Sequence, residues 1–242
     1  MKCPIPRLAA LPLLACALPS HAIELNKDFT LDVRVTALSD YRVGGFSLTQ
    51  GDPALWLDTT LVHSSGLFAG VFNTNVNFGT RARRESDYYA GITRALAPNV
   101  VATVLRIEYE YPHDSQFNYG EWIGTLTAYG ATLGVKYATD IKPFGDDRMI
   151  TWVGYALPLP YESLLDVRYG YNDNKDDIYA AGDGSRRSTY RDWQVGLNKR
   201  AFGLEWRAAY IDTDLSRHEC ASVFGYNDVC SATVVWSVSK KF

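Results

Sequence analysis

The stretch that decides the fold is the last one, Ser231-Ala-Thr-Val-Val-Trp-Ser-Val-Ser-Lys-Lys-Phe242. Val234, Trp236, Val238 and Phe242 fall on one parity, and Thr233, Ser237 and Ser239 on the other. A period of two is a strand with one apolar and one polar face. It runs to the carboxyl terminus and ends on an aromatic residue, as the closing strands of bacterial outer-membrane barrels do. The expectation is a strand that closes a barrel and turns its apolar face to lipid.

The same pattern recurs upstream. Period-two segments bounded by turn residues cover 30–40, 54–63, 67–78, 87–96, 100–111, 118–128, 131–140, 149–157, 163–172, 191–199 and 204–212. With 231–242 they make twelve, an even count as in single-chain bacterial barrels; ten or fourteen remain open, because the fourth, sixth and eighth alternate poorly. Most are about ten residues long, the length a tilted strand needs to cross a bilayer. No comparable stretch has helical periodicity. Connections after odd strands are long (41–53, 79–86, 112–117, 141–148, 173–190, 213–230), and those after even strands are short. Short turns at one end and long loops at the other is the outer-membrane barrel arrangement, and it places both termini on the periplasmic side. The fold expected is all-β: a transmembrane, antiparallel, up-and-down β-barrel.

Composition is compatible. The 242 residues carry a net charge of −3, which gives no basic excess to recruit nucleic acid. Mean hydropathy is −0.15. A membrane barrel averages out in this way because its strands alternate. Aromatic residues make up 13% of the chain and often sit near strand ends on the apolar parity. Trp and Tyr favour that depth in a bilayer. Lys240 also has the lipid-facing parity, and a lysine near a strand end can reach the interface.

Residues 1–22 read as a cleaved leader. Lys2 and Arg7 form the positive start, 8–18 the apolar stretch, and Ser20-His21-Ala22 a small-x-small cleavage signal. The barrel domain then spans 23–242. Leu13-Leu14-Ala15-Cys16 offers a rival lipoprotein box with Cys16 as the lipidated residue. After cleavage at Ala22 only Cys220 and Cys230 remain, and in an oxidising compartment this pair reads as a disulfide. With His218 they are too few for a metal site. No phosphate loop, zinc motif or dinucleotide fingerprint points to a cofactor.

The sequence also resembles a family. The residues that carry the resemblance are Leu38-Ser39-Asp40-Tyr41-Arg42, Gly45-Phe46-Ser47, Gly51-Asp52-Pro53-Ala54 and 63–71 from His63 through Ser64-Ser65-Gly66 to Val71. Cys230 and the ending Val-Ser-Lys-Lys-Phe242 add to them. Together they resemble the TorF family of porin-like proteins, a proteobacterial outer-membrane barrel family formerly grouped as conserved hypothetical proteins. Gly44-Gly45 departs from that family's usual Arg-Gly. The resemblance implies an outer-membrane barrel acting as a porin, and it brings over no functional residues.

On this register the polar parity faces a lumen. The lining residues expected are Asp32, Arg34, Asp58, Arg106, Glu108, Lys136, Asp166, Arg168, Glu205 and Arg207, with Asn73, Asn75, Asn77, Glu110, Asp192 and Gln194 beside them. Facing lipid at mid-depth, a charge would cost up to ~2–4 kcal/mol. A narrow lumen of mixed charge, constricted by the Gly-rich loop 41–53, would pass small polar solutes without strong selection by sign. A closed barrel whose long loops bind a partner is the alternative. The partners expected are outer-membrane lipid, small polar solutes and, through the last strand and Phe242, the barrel-assembly machinery. His63-Ser64-Ser65 with Asn73, Asn75 or Asn77 could suggest a lipase, but Ser and Gly there serve a turn, so no enzyme is expected.

Overall fold

A computed structural model describes residues 22–139, 141 and 147–242. The expected leader with Cys3 and Cys16 falls outside the described residues, as does the far end of the seventh segment at Asp140. Twelve strands follow in order: β1 (Phe29–Leu38), β2 (Ala54–His63), β3 (Leu67–Asn75), β4 (Arg84–Ala97), β5 (Val100–Glu110), β6 (Tyr119–Ala128), β7 (Ala131–Thr139), β8 (Asp147–Leu159), β9 (Ser163–Asp173), β10 (Thr189–Ala201), β11 (Leu204–Thr213) and β12 (Thr233–Lys241). Each pairs antiparallel with the next. β12 pairs with β1 from Ser237 opposite Leu38 to Lys241 opposite Arg34, which closes the barrel.

The seam has a second component. The Phe242 N–H donates to the Val33 carbonyl at 2.9 Å. Beyond it Ile23–Glu24 takes over, pairing with Leu31 and Thr30 of β1. Residues 23–24 and 237–242 therefore lie along one edge of β1 and leave little of it unpaired, which suits a wall where unpaired backbone groups are costly. At this end the turns are tight. Tyr129 and Gly130 have φ of 52° and 87°, the mirror-image turn whose twist matches the flanking strands.

The pairing register decides which face is which. Leu57, Leu61, Val71, Leu133, Val153 and Trp236 are exposed on the outer face although apolar, as a lipid-facing surface requires. No helix among the described residues is long and apolar enough to cross a membrane, which says nothing about strands.

Two strands are turned over relative to expectation. In β5, Arg106 pairs with Ala90 and Trp122, while Leu105 pairs with Gly91 and Ile123. Trp122 and Val104 are exposed. Arg106, Glu108 and Glu110 thus point outward, and Leu105, Ile107 and Tyr109 point into the barrel. In β3, Asp58 faces Phe72 and Leu57 faces Asn73, so Phe68 and Phe72 point inward and Asn73 and Asn75 outward. Arg106 and Glu108 do not line the lumen. They pair with each other at 2.7 Å, next to the outward rings of Tyr88 and Trp122. That is the depth of an aromatic belt, where an outward charge costs only ~0–1 kcal/mol. Trp152, Tyr109 and Tyr111 also turn inward. Gly134 makes room for Trp152, whose ring occupies the space a Cβ would need.

Among the described residues the loop before β12 holds an unexpected helix, α1 (Arg217–Phe224). Eight residues are too few to show a period. Its ends were written nonetheless: Ser216 and Glu219 form a reciprocal capping box, and Gly225 ends the helix at φ 73°. The remaining core sits in the loop cap. One cluster joins Leu38, Tyr41, Val76, Ala82 and Tyr111; the other joins Phe46, Tyr179, Tyr190, Val229 and the cystine.

Candidate functional site

The barrel interior has two unlike walls. One is built by β1 and β9–β12, with charged residues two apart on β1, β9 and β11 and with Asp192 and Lys241 on β10 and β12. Arg207 on β11 reaches Asp166 on β9, its Nη2 lying 2.9 Å from Oδ1, and Asn198 between them donates to the same carboxylate at 2.5 Å. It crosses over Gly196, where any Cβ would meet the guanidinium. Arg168 pairs with Asp192, and Lys241 with Asp32 at 3.0 Å. Arg34 on β1 reaches Glu205 on β11 at 2.8 Å. Arg34 and Glu205 remain 44% and 36% exposed although both point into a closed barrel. Water therefore reaches the lumen at the short-turn end.

The opposite wall, β2–β7, mixes apolar side chains with carboxylates held by tyrosines. Phe72, Leu105, Ile107 and Ile123 supply the apolar part. Tyr89 donates to Asp58 at 2.5 Å. Higher up, Tyr41 and Tyr111 each donate to Glu85 at 2.7 Å. Glu121, 1% exposed, accepts from Tyr109 at 2.5 Å and pairs with Lys136 at 3.2 Å and Arg148 at 3.5 Å. Asp87 is also buried, and its Oδ1 has no hydrogen-bond partner among the described residues. Glu85, Asp87, Tyr89, Glu121 and Arg148 were not singled out from the sequence. Glu121 sits in a poorly alternating segment, Arg148 fell in the connection expected at 141–148, and Glu85 precedes the segment expected for β4.

Over the long-loop end lies a cap. The loop 39–53 folds inward, as its glycines suggested, through a small hairpin of Arg42–Val43 and Phe46–Ser47. Arg42 and Asp40 form a buried pair at 2.6 Å, and the Arg42 guanidinium also donates to the Ser231 carbonyl at 2.7 Å. Tyr190 donates to the Gly44 carbonyl at 2.9 Å. Gly44 has φ of 56°, and a side chain there would meet the Tyr190 hydroxyl. Phe224 of α1 lies against Phe46, ring centroids 4.3 Å apart. Cys220 and Cys230 form a disulfide with Cα atoms 6.1 Å apart. Glu219 accepts from Arg187 at 2.5 Å and ties α1 to the loop before β10. Burial alone would raise the Glu219 carboxyl. Hydrogen bonds from Arg187 and Ser216 outweigh it and hold the carboxyl below its ordinary value. Between cap and wall is a cavity of about 830 Å³.

The turn motif is local. His63 Nδ1 lies 2.7 Å from Ser65 Oγ and also accepts from the Ser65 N–H at 3.1 Å. Asn75 is occupied at the other end of the barrel, bonding to Leu55 and Pro53. Lys240 points outward and bends to the Gly203 carbonyl of the neighbouring turn at 3.2 Å.

An apolar outer belt, a closed twelve-stranded sheet and a charged, loop-capped interior define a membrane-spanning β-barrel. The chain belongs to the Gcw_chp family, described as "bacterial protein of unknown function", which matches residues 23–242. No curated protein matches it. Among solved structures it is similar to one described as "KdgM porin", with TM-score 0.50 and 7% identity over 88% of this chain and 97% of that one. It is also similar to Acinetobacter baumannii OccAB3 (TM-score 0.44, 11% identity, 91% of this chain and 66% of that one). Pseudomonas aeruginosa OprD follows (TM-score 0.42, 9% identity, 91% and 68%). At these identities the likeness to the first is one of fold: a closed antiparallel barrel.

Proposed function

We propose that the chain is a passive channel of the bacterial outer membrane, passing small polar solutes through a narrow lumen constricted at its loop end. One observation carries this. Arg34 and Glu205 point into the barrel and still meet water, whereas a ladder that filled a closed interior would be as buried as Glu121. Twelve strands fall between the smallest filled barrels and the widest pores. Asp32, Arg34, Asp58, Lys136, Asp166, Arg168, Glu205 and Arg207 are the lining residues of this channel. The motifs running from Leu38 to Val71 support placing the chain within the TorF family, and the leader-like segment 1–22 supports export. The last strand and Phe242 are read as the signal taken up by the barrel-assembly machinery.

The test is single-channel recording from refolded protein in planar bilayers. Discrete current steps are expected; no current above background overturns the channel. A second reading, a closed barrel whose loops bind a partner, is favoured by the interlocked cap and predicts that null result. Catalysis is not part of the proposal. Ser65→Ala is expected to leave ester hydrolysis at background.

A further inference from the structure

We propose that the cavity beneath the loop cap is a binding site for a small organic cation, an ammonium or guanidinium carried on an apolar body. The site deepens the channel reading, which supplies the route by which such a solute arrives. At about 830 Å³ the cavity is of ligand size. Asp58, Glu85 and Asp87 line it, and none of them forms an ion pair among the described residues. Lys136 and Arg148 also line it, but both are engaged by Glu121. With Glu121 counted, four carboxyl groups face two cations among the described residues, an imbalance the paired wall lacks.

Asp87 makes the site more than an acidic cluster. It is 3% exposed, lines the cavity and leaves Oδ1 without a partner among the described residues. Buried acceptors left unpaired are rare and costly. The nearby hydroxyls are already committed: Tyr41 and Tyr111 to Glu85, Tyr89 to Asp58, and Tyr109 to Glu121. Asp87 also shares a hydrogen bond with Glu85, so the donor still missing at Oδ1 is one that an occupant can bring. An ammonium brings several donors and a charge that matches the excess carboxyl groups. An anion would meet a wall of carboxyl groups, and a neutral polyol would leave them without an ion pair. Phe72, Leu105, Ile107 and Ile123 offer the apolar body a surface on the same wall, with Phe72 directly beside Asp58 and Asp87 in the sheet.

The experiment uses the refolded full chain and three probes of one size: 2-phenylethylammonium, 2-phenylethanol and 3-phenylpropionate. Binding is read by calorimetry in detergent, and block is read on single-channel current. The expected result is binding and block by the ammonium alone, weakened about tenfold in Asp87→Asn and in Asp58→Asn, with β-sheet circular dichroism unchanged. Equal binding of the anion or the alcohol overturns the site, and so does wild-type affinity in both variants. Current without binding overturns the site and leaves the channel. Binding without current supports the site and removes the channel.

Discussion

The two lumen walls solve the problem of charge inside a membrane protein differently. On β1 and β9–β11 the lumen carboxylates Asp32, Asp166, Asp192 and Glu205 each meet an arginine or lysine from another strand, and all of them but Asp192 stay partly wet. On β2–β7 the carboxylates are buried and held mainly by tyrosine hydroxyls, with Lys136 and Arg148 both committed to Glu121. Wet pairs contribute little individually, because water would serve each partner nearly as well. In the buried cluster removal of one member strands the others. One wall therefore tunes the field a solute meets, and the other holds the upper barrel and its cap together.

The sharpest way to break that contrast is to replace one acid in each wall. Glu121→Gln leaves Lys136 and Arg148 without their carboxylate and is expected to cost about 3 kcal/mol or more, read by urea unfolding in detergent. Next, Cys220→Ser combined with Cys230→Ser releases α1; closing so short a loop contributes ~2–3 kcal/mol. Protease is then expected to nick 214–232 while the barrel stays intact. Ser216→Ala removes the helix cap at ~1 kcal/mol and should speed the same nicking more modestly. Asp166→Asn in the wet wall is expected to cost under ~1 kcal/mol and to shift ion selectivity instead. If it destabilises as much as Glu121→Gln, the two walls are not different.

The smallest effect is one of pH. The Glu219 carboxyl is held below its ordinary value in the fold, so its contribution is present above the ordinary glutamate range and is lost as pH falls through its folded pKa. The near-ultraviolet dichroism of Tyr179, Tyr190 and Phe46 should fade over that acid range while the β-sheet signal persists.

Strand number and order were legible because alternation is local. In 204–212 and 231–242 parity also told inside from outside, since one face is apolar and the other charged. In β3 and β5 it did not. There the lumen carries Phe68, Phe72, Leu105, Ile107 and Tyr109, while the outside carries Asn73, Arg106 and Glu108 near the membrane boundary. Polarity as a guide to direction fails where an apolar lumen wall meets a polar boundary. The cap shows another limit. The Gly-rich loop 41–53 announced its inward turn, but Arg42 to the Ser231 carbonyl, Tyr190 to Gly44 and Glu219–Arg187 join residues that are far apart in the chain.

Alternation, loop-length asymmetry and the terminal Phe242 are properties of short stretches, and from these the sequence by itself determined the barrel, its strand order and the pairing of Cys220 with Cys230. Only the tertiary structure decided which face of β3 and β5 meets lipid, because that depends on the register with neighbouring strands. It also decided that Glu85, Asp87 and Glu121 gather beneath a folded cap, because their partners come from other strands and loops and meet only when the sheet closes.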